Sequence, residues 1–133
     1  MEIRIEHLNN GKCAANIRGH YIICDQPPAN GGNDEGPTPP EFLLVSLGTC
    51  AGFYAHSYLK KHGLNLPLGV SVNAEKMPAP ARLGKFHVEI DCPGLPPDHE
   101  AGMLRSVNAC LIKNTLLQAP AFETVLATAP VGV

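Results

Sequence analysis

Apolar and polar positions alternate at the start of the chain. Ile3 and Ile5 are separated by Glu2, Arg4 and Glu6, the two-residue period of a strand. Asn9-Asn10-Gly11 is a turn signal. A second run over 12–18 ends at Gly19, and a third over 20–24 carries Tyr21, Ile22 and Ile23. Residues 1–25 therefore read as an antiparallel meander. The next stretch, DQPPANGGNDEGPTPP, has no periodicity and reads as a loop of about fifteen residues. Structureless loops of that length are uncommon inside compact domains and are usually functional or disordered.

The loop feeds the best-delimited element. Thr38 followed by Glu41 fits a capping box, and Pro39 sits at the first helical position, where a missing N–H costs nothing. The helix predicted over 39–62 ends with Lys60, Lys61 and His62 in its last turn and Gly63 beyond. It would be about 36 Å long. Its first half is apolar nearly all round, the signature of a buried helix.

Two strands are predicted next. Val70, Val72 and Ala74 alternate with Ser71, Asn73 and Glu75. Phe86, Val88, Ile90 and Cys92 alternate with Lys85, His87, Glu89 and Asp91, so one face packs and the other meets water. MPAPARLG between them is a loop or long hairpin connection. Pro96 and Pro97 introduce a second helix on which Ala101, Leu104, Val107, Cys110 and Leu111 recur at helical steps. Lys113-Asn114-Thr115 is expected to interrupt it before a short helical turn over 115–117. Phe122 to Thr128 reads as a final strand. Partly segregated strands and helices predict the α+β class. With 133 residues the chain has the length of one domain, 1–133.

Composition narrows the function. Apolar residues at 44% and charged residues at 17% are globular proportions, and a net charge of −2 offers no basic face to nucleic acid or an anionic membrane. The N-terminus lacks the apolar core of a signal peptide. The longest apolar run, 42–53, is interrupted by Ser46, Gly48 and Thr49 and falls short of the ~20 residues that span a bilayer. A cytoplasmic location is the expectation. The five cysteines (Cys13, Cys24, Cys50, Cys92, Cys110) are odd in number and show no C-x-x-C spacing. This argues against both a disulfide framework and a zinc site. Such cysteines are either small core residues or reactive thiols.

Cys50 is the first candidate. It lies mid-helix in Gly48-Thr49-Cys50-Ala51-Gly52, and each helical glycine costs about 1 kcal/mol relative to alanine. Two readings fit: the glycines admit a substrate or a second backbone beside a reactive thiol, or they permit tight packing around an inert one. Cys110 is the second candidate, a resolving thiol or a residue of an apolar helix face. Glu41 has a structural role in the capping box. At 100° per residue it is about 900° around the helix from Cys50, so the two side chains point to opposite sides. They could share a site only if two copies of the helix packed together. His56 is about 240° from Cys50 and is a poor local base. Ser46 and Tyr54 share the Cys50 face as packing or polar lining. Cys92 reads as core, and Cys13 and Cys24 have no partner signal.

The stretch from Asp25 to Cys50, DQPPANGGNDEGPTPPEFLLVSLGTC, resembles the OsmC/Ohr family: an acidic residue closing a strand, a Gly/Asp-rich loop, a T-P-x-E-like helix start and a helix that reaches a cysteine. Ala109-Cys110-Leu111-Ile112 and Asn114-Thr115-Leu116-Leu117 resemble the segment around that family's second cysteine. The resemblance implies an antiparallel β-sheet wrapped around long central helices in an intertwined homodimer, with active sites at the subunit interface. It implies a peroxidase that reduces organic hydroperoxides or hydrogen peroxide. Cys50 would become a sulfenic acid, Cys110 would resolve it as a disulfide, and a lipoyl-type or small-thiol dithiol reductant would reset the pair. Glu41 would organise the site. No metal or organic cofactor, nucleic acid or membrane is implied. One departure stands out: the family's loop arginine, which pairs with the matching glutamate, aligns near Asn30, and no arginine lies between Gly19 and Arg82. Without a cation a buried thiol has a raised pKa, so a second expectation is a non-enzymatic dimer that binds a small apolar ligand at its interface.

Overall fold

The computed structural model describes residues 1–130. It is a mixed α/β fold of two small antiparallel sheets and three helices. Strands β1 (Ile5–Asn9), β2 (Lys12–Ile17) and β3 (His20–Cys24) form the expected meander in the order β1-β2-β3. Asn10, at φ 48°, turns the first hairpin. Arg18 and Gly19, at φ 52° and 86°, turn the second in the left-handed pair that matches strand twist.

The loop after β3 is organised by one carboxylate. Asp25 is fully buried and accepts the backbone N–H groups of Gln26 (2.7 Å), Asn33 (3.2 Å) and Glu35 (3.0 Å). These bonds, led by that from Glu35, hold its carboxyl below the usual carboxylate range. A short 3₁₀ turn spans Pro28–Asn30. Gly32 is required here, because a Cβ would stand 2.0 Å from the Gln26 carbonyl oxygen. Lys12 pairs with Glu35 at 2.6 Å and ties the loop to β2.

Helix α1 (Pro39–Lys61) starts with the capping box that the sequence predicts. The Glu41 carboxylate accepts both the Thr38 N–H (2.9 Å) and the Thr38 hydroxyl (2.8 Å). The expectation of an all-round buried helix is corrected. Its buried residues are Leu47, Ala51, Ala55 and Leu59, one stripe at four-residue steps, while Val45 and Phe53 are 56% and 65% exposed. One helix in one chain can be covered only where other elements of that chain reach it. By length and composition α1 could cross a membrane, but its buried stripe packs on elements of this domain.

Strands β4 (Gly69–Met77) and β5 (Arg82–Asp91) form the second sheet, paired from Gly69↔Asp91 to Met77↔Arg82. Phe86, Val88 and Ile90 turn inward and Lys85, His87 and Glu89 outward, as the alternation predicts. After a 3₁₀ turn come α2 (Glu100–Val107) and α3 (Leu111–Leu117). The core joins the α1 stripe to Met103 and Val107 of α2, flanked by Val70, Val88 and Ile90. The Tyr58 hydroxyl lies 2.8 Å from His99 Nδ1 and pins the end of α1 to the turn before α2.

Two expectations fail. The helical break falls at 108–110, not 113–115, which places Cys110 before α3 rather than within the second helix. Residues 119–130 form no strand, and Phe122, Val125 and Leu126 are 80–89% exposed. Within one chain the strands form two separate sheets, β1–β3 and β4–β5. The extensive contacts of α1 are with β4, α2, α3 and β5, whereas those of β1–β3 are among themselves.

Candidate functional site

Cys50 sits one helical residue before the buried Ala51, at the margin of the packed stripe of α1, and is half-buried. Cys110 is 1% exposed and occupies the bend between α2 and α3. The bend decides the geometry. It lets the chain turn so that Cys110 and the first N–H groups of α3 face Cys50. A continuous second helix would have carried those N–H groups in i to i−4 bonds.

The two thiols are electrostatically asymmetric. Partial burial works to raise the Cys50 thiol, but the Cys110 thiol and the N–H groups of Ile112 and Leu111 outweigh it, so its pKa is lowered. Burial pushes the Cys110 thiol up, and the neighbouring Cys50 thiol adds to this against the N–H groups of Lys113 and Ile112. The two thiols are thus shifted in opposite directions, Cys50 down and Cys110 up. No guanidinium is among the groups that act on Cys50.

Glu41 is not part of this pair. It is exposed at the start of α1, with its carboxylate committed to Thr38, and stands about 13 Å along the helix axis from Cys50. Among the described residues no group of three or more His, Cys, Asp or Glu side chains is gathered in a way that could hold a metal ion.

A cavity of about 430 Å³ opens beside Cys110. Leu47, Phe86, Val88, Leu104, Val107 and Leu116 give it an apolar wall, and Lys85, Asn108 and Lys113 stand among its lining. The helical glycines have separate neighbours. A Cβ on Gly48 would stand 2.9 Å from Val72 Cγ2, and one on Gly52 would stand 3.5 Å from Val70 Cγ2. Of the two readings of these glycines, close packing accounts for Gly48, and the packing partner is strand β4. The inside of this site had little signal in the sequence, since Leu111 and Ile112 contribute backbone N–H groups that residue type does not report.

The sequence profile of the OsmC-like protein family matches residues 31–125, and the chain belongs to that family. Solved structures share the fold. A Psychrobacter arcticus protein described as osmotic stress induced and of the detoxification response superposes with a TM-score of 0.76 at 17% identity, covering 85% of each chain. An OsmC-like protein of Mycoplasma pneumoniae gives 0.70 at 19% identity, covering 89% of this chain and 87% of that one. The organic hydroperoxide resistance protein OsmC of Legionella pneumophila gives 0.63 at 13% identity, covering 86% and 87%. No curated protein matches the chain in sequence.

Proposed function

We propose that this chain is a thiol-dependent peroxidase that reduces organic hydroperoxides or hydrogen peroxide, with Cys50 as the peroxidatic and Cys110 as the resolving thiol. The observation that carries this reading is the asymmetric pair: a Cys50 thiol shifted down beside a buried Cys110 thiol shifted up. The Cys50 thiolate attacks the outer peroxide oxygen, the O–O bond breaks, and the alkoxide takes up a proton to leave as alcohol. The resulting sulfenic acid is attacked by the Cys110 sulfur, which forms the disulfide and releases water. A dithiol reductant, lipoyl-type or a small thiol, returns both cysteines to thiols by exchange and leaves as its own disulfide. Membership of the OsmC-like family and the printed name of the Legionella relative support a stress-related redox role.

The working unit in this reading is an intertwined homodimer in the cytoplasm. Its support is apolar surface with no cover in one chain: Val45 and Phe53 on α1, Ile5 and Tyr21 on the meander, and Phe122, Val125 and Leu126 beyond α3. Two α1 helices packed face to face would bring Glu41 of one chain towards Cys50 of the other, which one chain alone cannot do.

The test follows organic hydroperoxide consumption with a dithiol reductant by the parent and by Cys50→Ser. Turnover that vanishes in the variant supports peroxidase chemistry. Equal background consumption in both sinks it. The 430 Å³ apolar cavity favours one second reading, a non-enzymatic dimer that binds a small apolar ligand. That reading expects an inert Cys50 and a ligand-dependent rise in melting temperature.

A further inference from the structure

Two cysteines outside the Cys50 site face each other across a strand pair. In the β2–β3 register Cys13 lies directly opposite Cys24. Directly opposed residues of antiparallel strands have Cα atoms about 4.5–5.5 Å apart and side chains on the same face of the sheet. A disulfide needs Cα atoms within roughly 7 Å. Both thiols are free and half-buried, so a small reagent can reach them. The sequence concealed the pair, because eleven positions separate the two residues and only the strand register aligns them.

We propose that Cys13 and Cys24 form a second redox couple, which closes as a cross-strand disulfide by exchange with small-molecule or protein disulfides. The Cys13 thiolate attacks one sulfur of an oxidised disulfide R–S–S–R, forming Cys13–S–S–R and releasing the first R–S⁻. Cys24 then gives up its proton and attacks the Cys13 sulfur, and the second R–S⁻ leaves. Two protein thiols lose two electrons and two protons, and the oxidant becomes two R–SH. The order of attack follows from the surroundings of Cys24. Burial, then the neighbouring Cys13 and Asp25, raise its thiol, so Cys24 is the second of the two to attack.

The position of the couple gives the bond a consequence. Cys24 precedes Asp25, the carboxylate that folds the loop leading to α1, and Cys13 follows Lys12, which pairs with Glu35 of that loop. Closing the bond ties the end of β3, where the loop begins, to β2, whose Lys12 holds Glu35 of the loop. The device responds to the thiol–disulfide poise of its surroundings without using Cys50, and it does not rest on the peroxidase reading.

The experiment equilibrates the Cys50→Ser/Cys110→Ser chain in glutathione buffers of stepped ratio, then acid-quenches, alkylates and maps the tryptic peptides by mass. The expected result is residues 13–18 linked to the peptide that holds Cys24, with a loss of two hydrogen masses. The oxidised-to-reduced ratio should rise tenfold for each tenfold rise in oxidised glutathione at fixed reduced glutathione, while Cys92 remains alkylatable. Cys24→Ser added to that chain should trap a persistent glutathione adduct on Cys13. Independent adducts on Cys13 and Cys24, or two free thiols across the whole range, with no linked peptide, would overturn the proposal. The same map made on the parent protein guards against a folding defect in the variants. A linked peptide there supports the couple, and its absence there counts against it.

Discussion

Gly48 and Gly52 provide a pair of substitutions whose difference is set by the distance to β4. Both lie inside α1, and replacing a helical glycine by alanine gains about 1 kcal/mol of backbone entropy and propensity. At Gly52 the new methyl would meet Val70 Cγ2 at 3.5 Å, ordinary van der Waals contact, so Gly52→Ala keeps that gain. For a domain of this size that is a rise of about 3–5 °C in Tm. At Gly48 the methyl would stand 2.9 Å from Val72 Cγ2. Valine is stiff at χ1, and Val72 is held in a ladder opposite Val88, so the helix or the strand must shift. Overpacking of this kind costs about 1–3 kcal/mol. Gly48→Ala should therefore come out from neutral to about 2 kcal/mol destabilising, despite the same local gain. Urea unfolding of both variants at one protein concentration reads the difference. The clash is tested by adding Val72→Ala: in that background Gly48→Ala should recover the stabilisation seen at Gly52. Equal stabilisation by both alanines in the parent, or no recovery in the Val72→Ala background, would refute the packing argument.

Cys110→Ala removes the thiol that favours the Cys50 thiolate, so the pH midpoint of Cys50 alkylation should move upward. An unchanged midpoint would mean that the thiols do not interact. Asp25 has a lowered folded-state pKa, so its contribution to stability is fully present above the ordinary carboxylate range and is lost as pH falls through the lowered value. Asp25→Asn should be less stable at neutral pH and show a flatter acid limb in unfolding curves. Phe53→Asp places a charge on the uncovered face of α1, and light scattering should show a parent particle of twice the chain mass fall to one chain mass. A parent of one chain mass would remove the dimer.

The sequence was most legible where local chemistry suffices. The capping box of Thr38 and Glu41, the proline before it and the two-residue alternation over 85–92 depend on neighbours a few positions away, and they appear where the pattern placed them. The resemblance also pointed to Cys50 and Cys110, and Cys110 is among the groups that act on the Cys50 thiol. What the pattern missed depends on partners distant along the chain. Apolar periodicity could not show that α2 stops at Val107, because Asn108, Ala109 and Cys110 continue an acceptable helical pattern until Cys110 must face α1. Nor could it show that Phe122 to Thr128 joins no strand of this chain, since β propensity describes a surface to be packed and not the presence of a neighbour. The all-round apolar start of α1 was visible in the sequence. Which stripe of it this chain covers was decided by where β4 and α2 lie, and Val45 and Phe53 were left outside. Sequence alone determined the elements and their caps, which are short-range matters of propensity and hydrogen bonding. Only the tertiary structure decided which thiol meets which and which carboxylate is buried, because those depend on contacts between residues far apart in the chain.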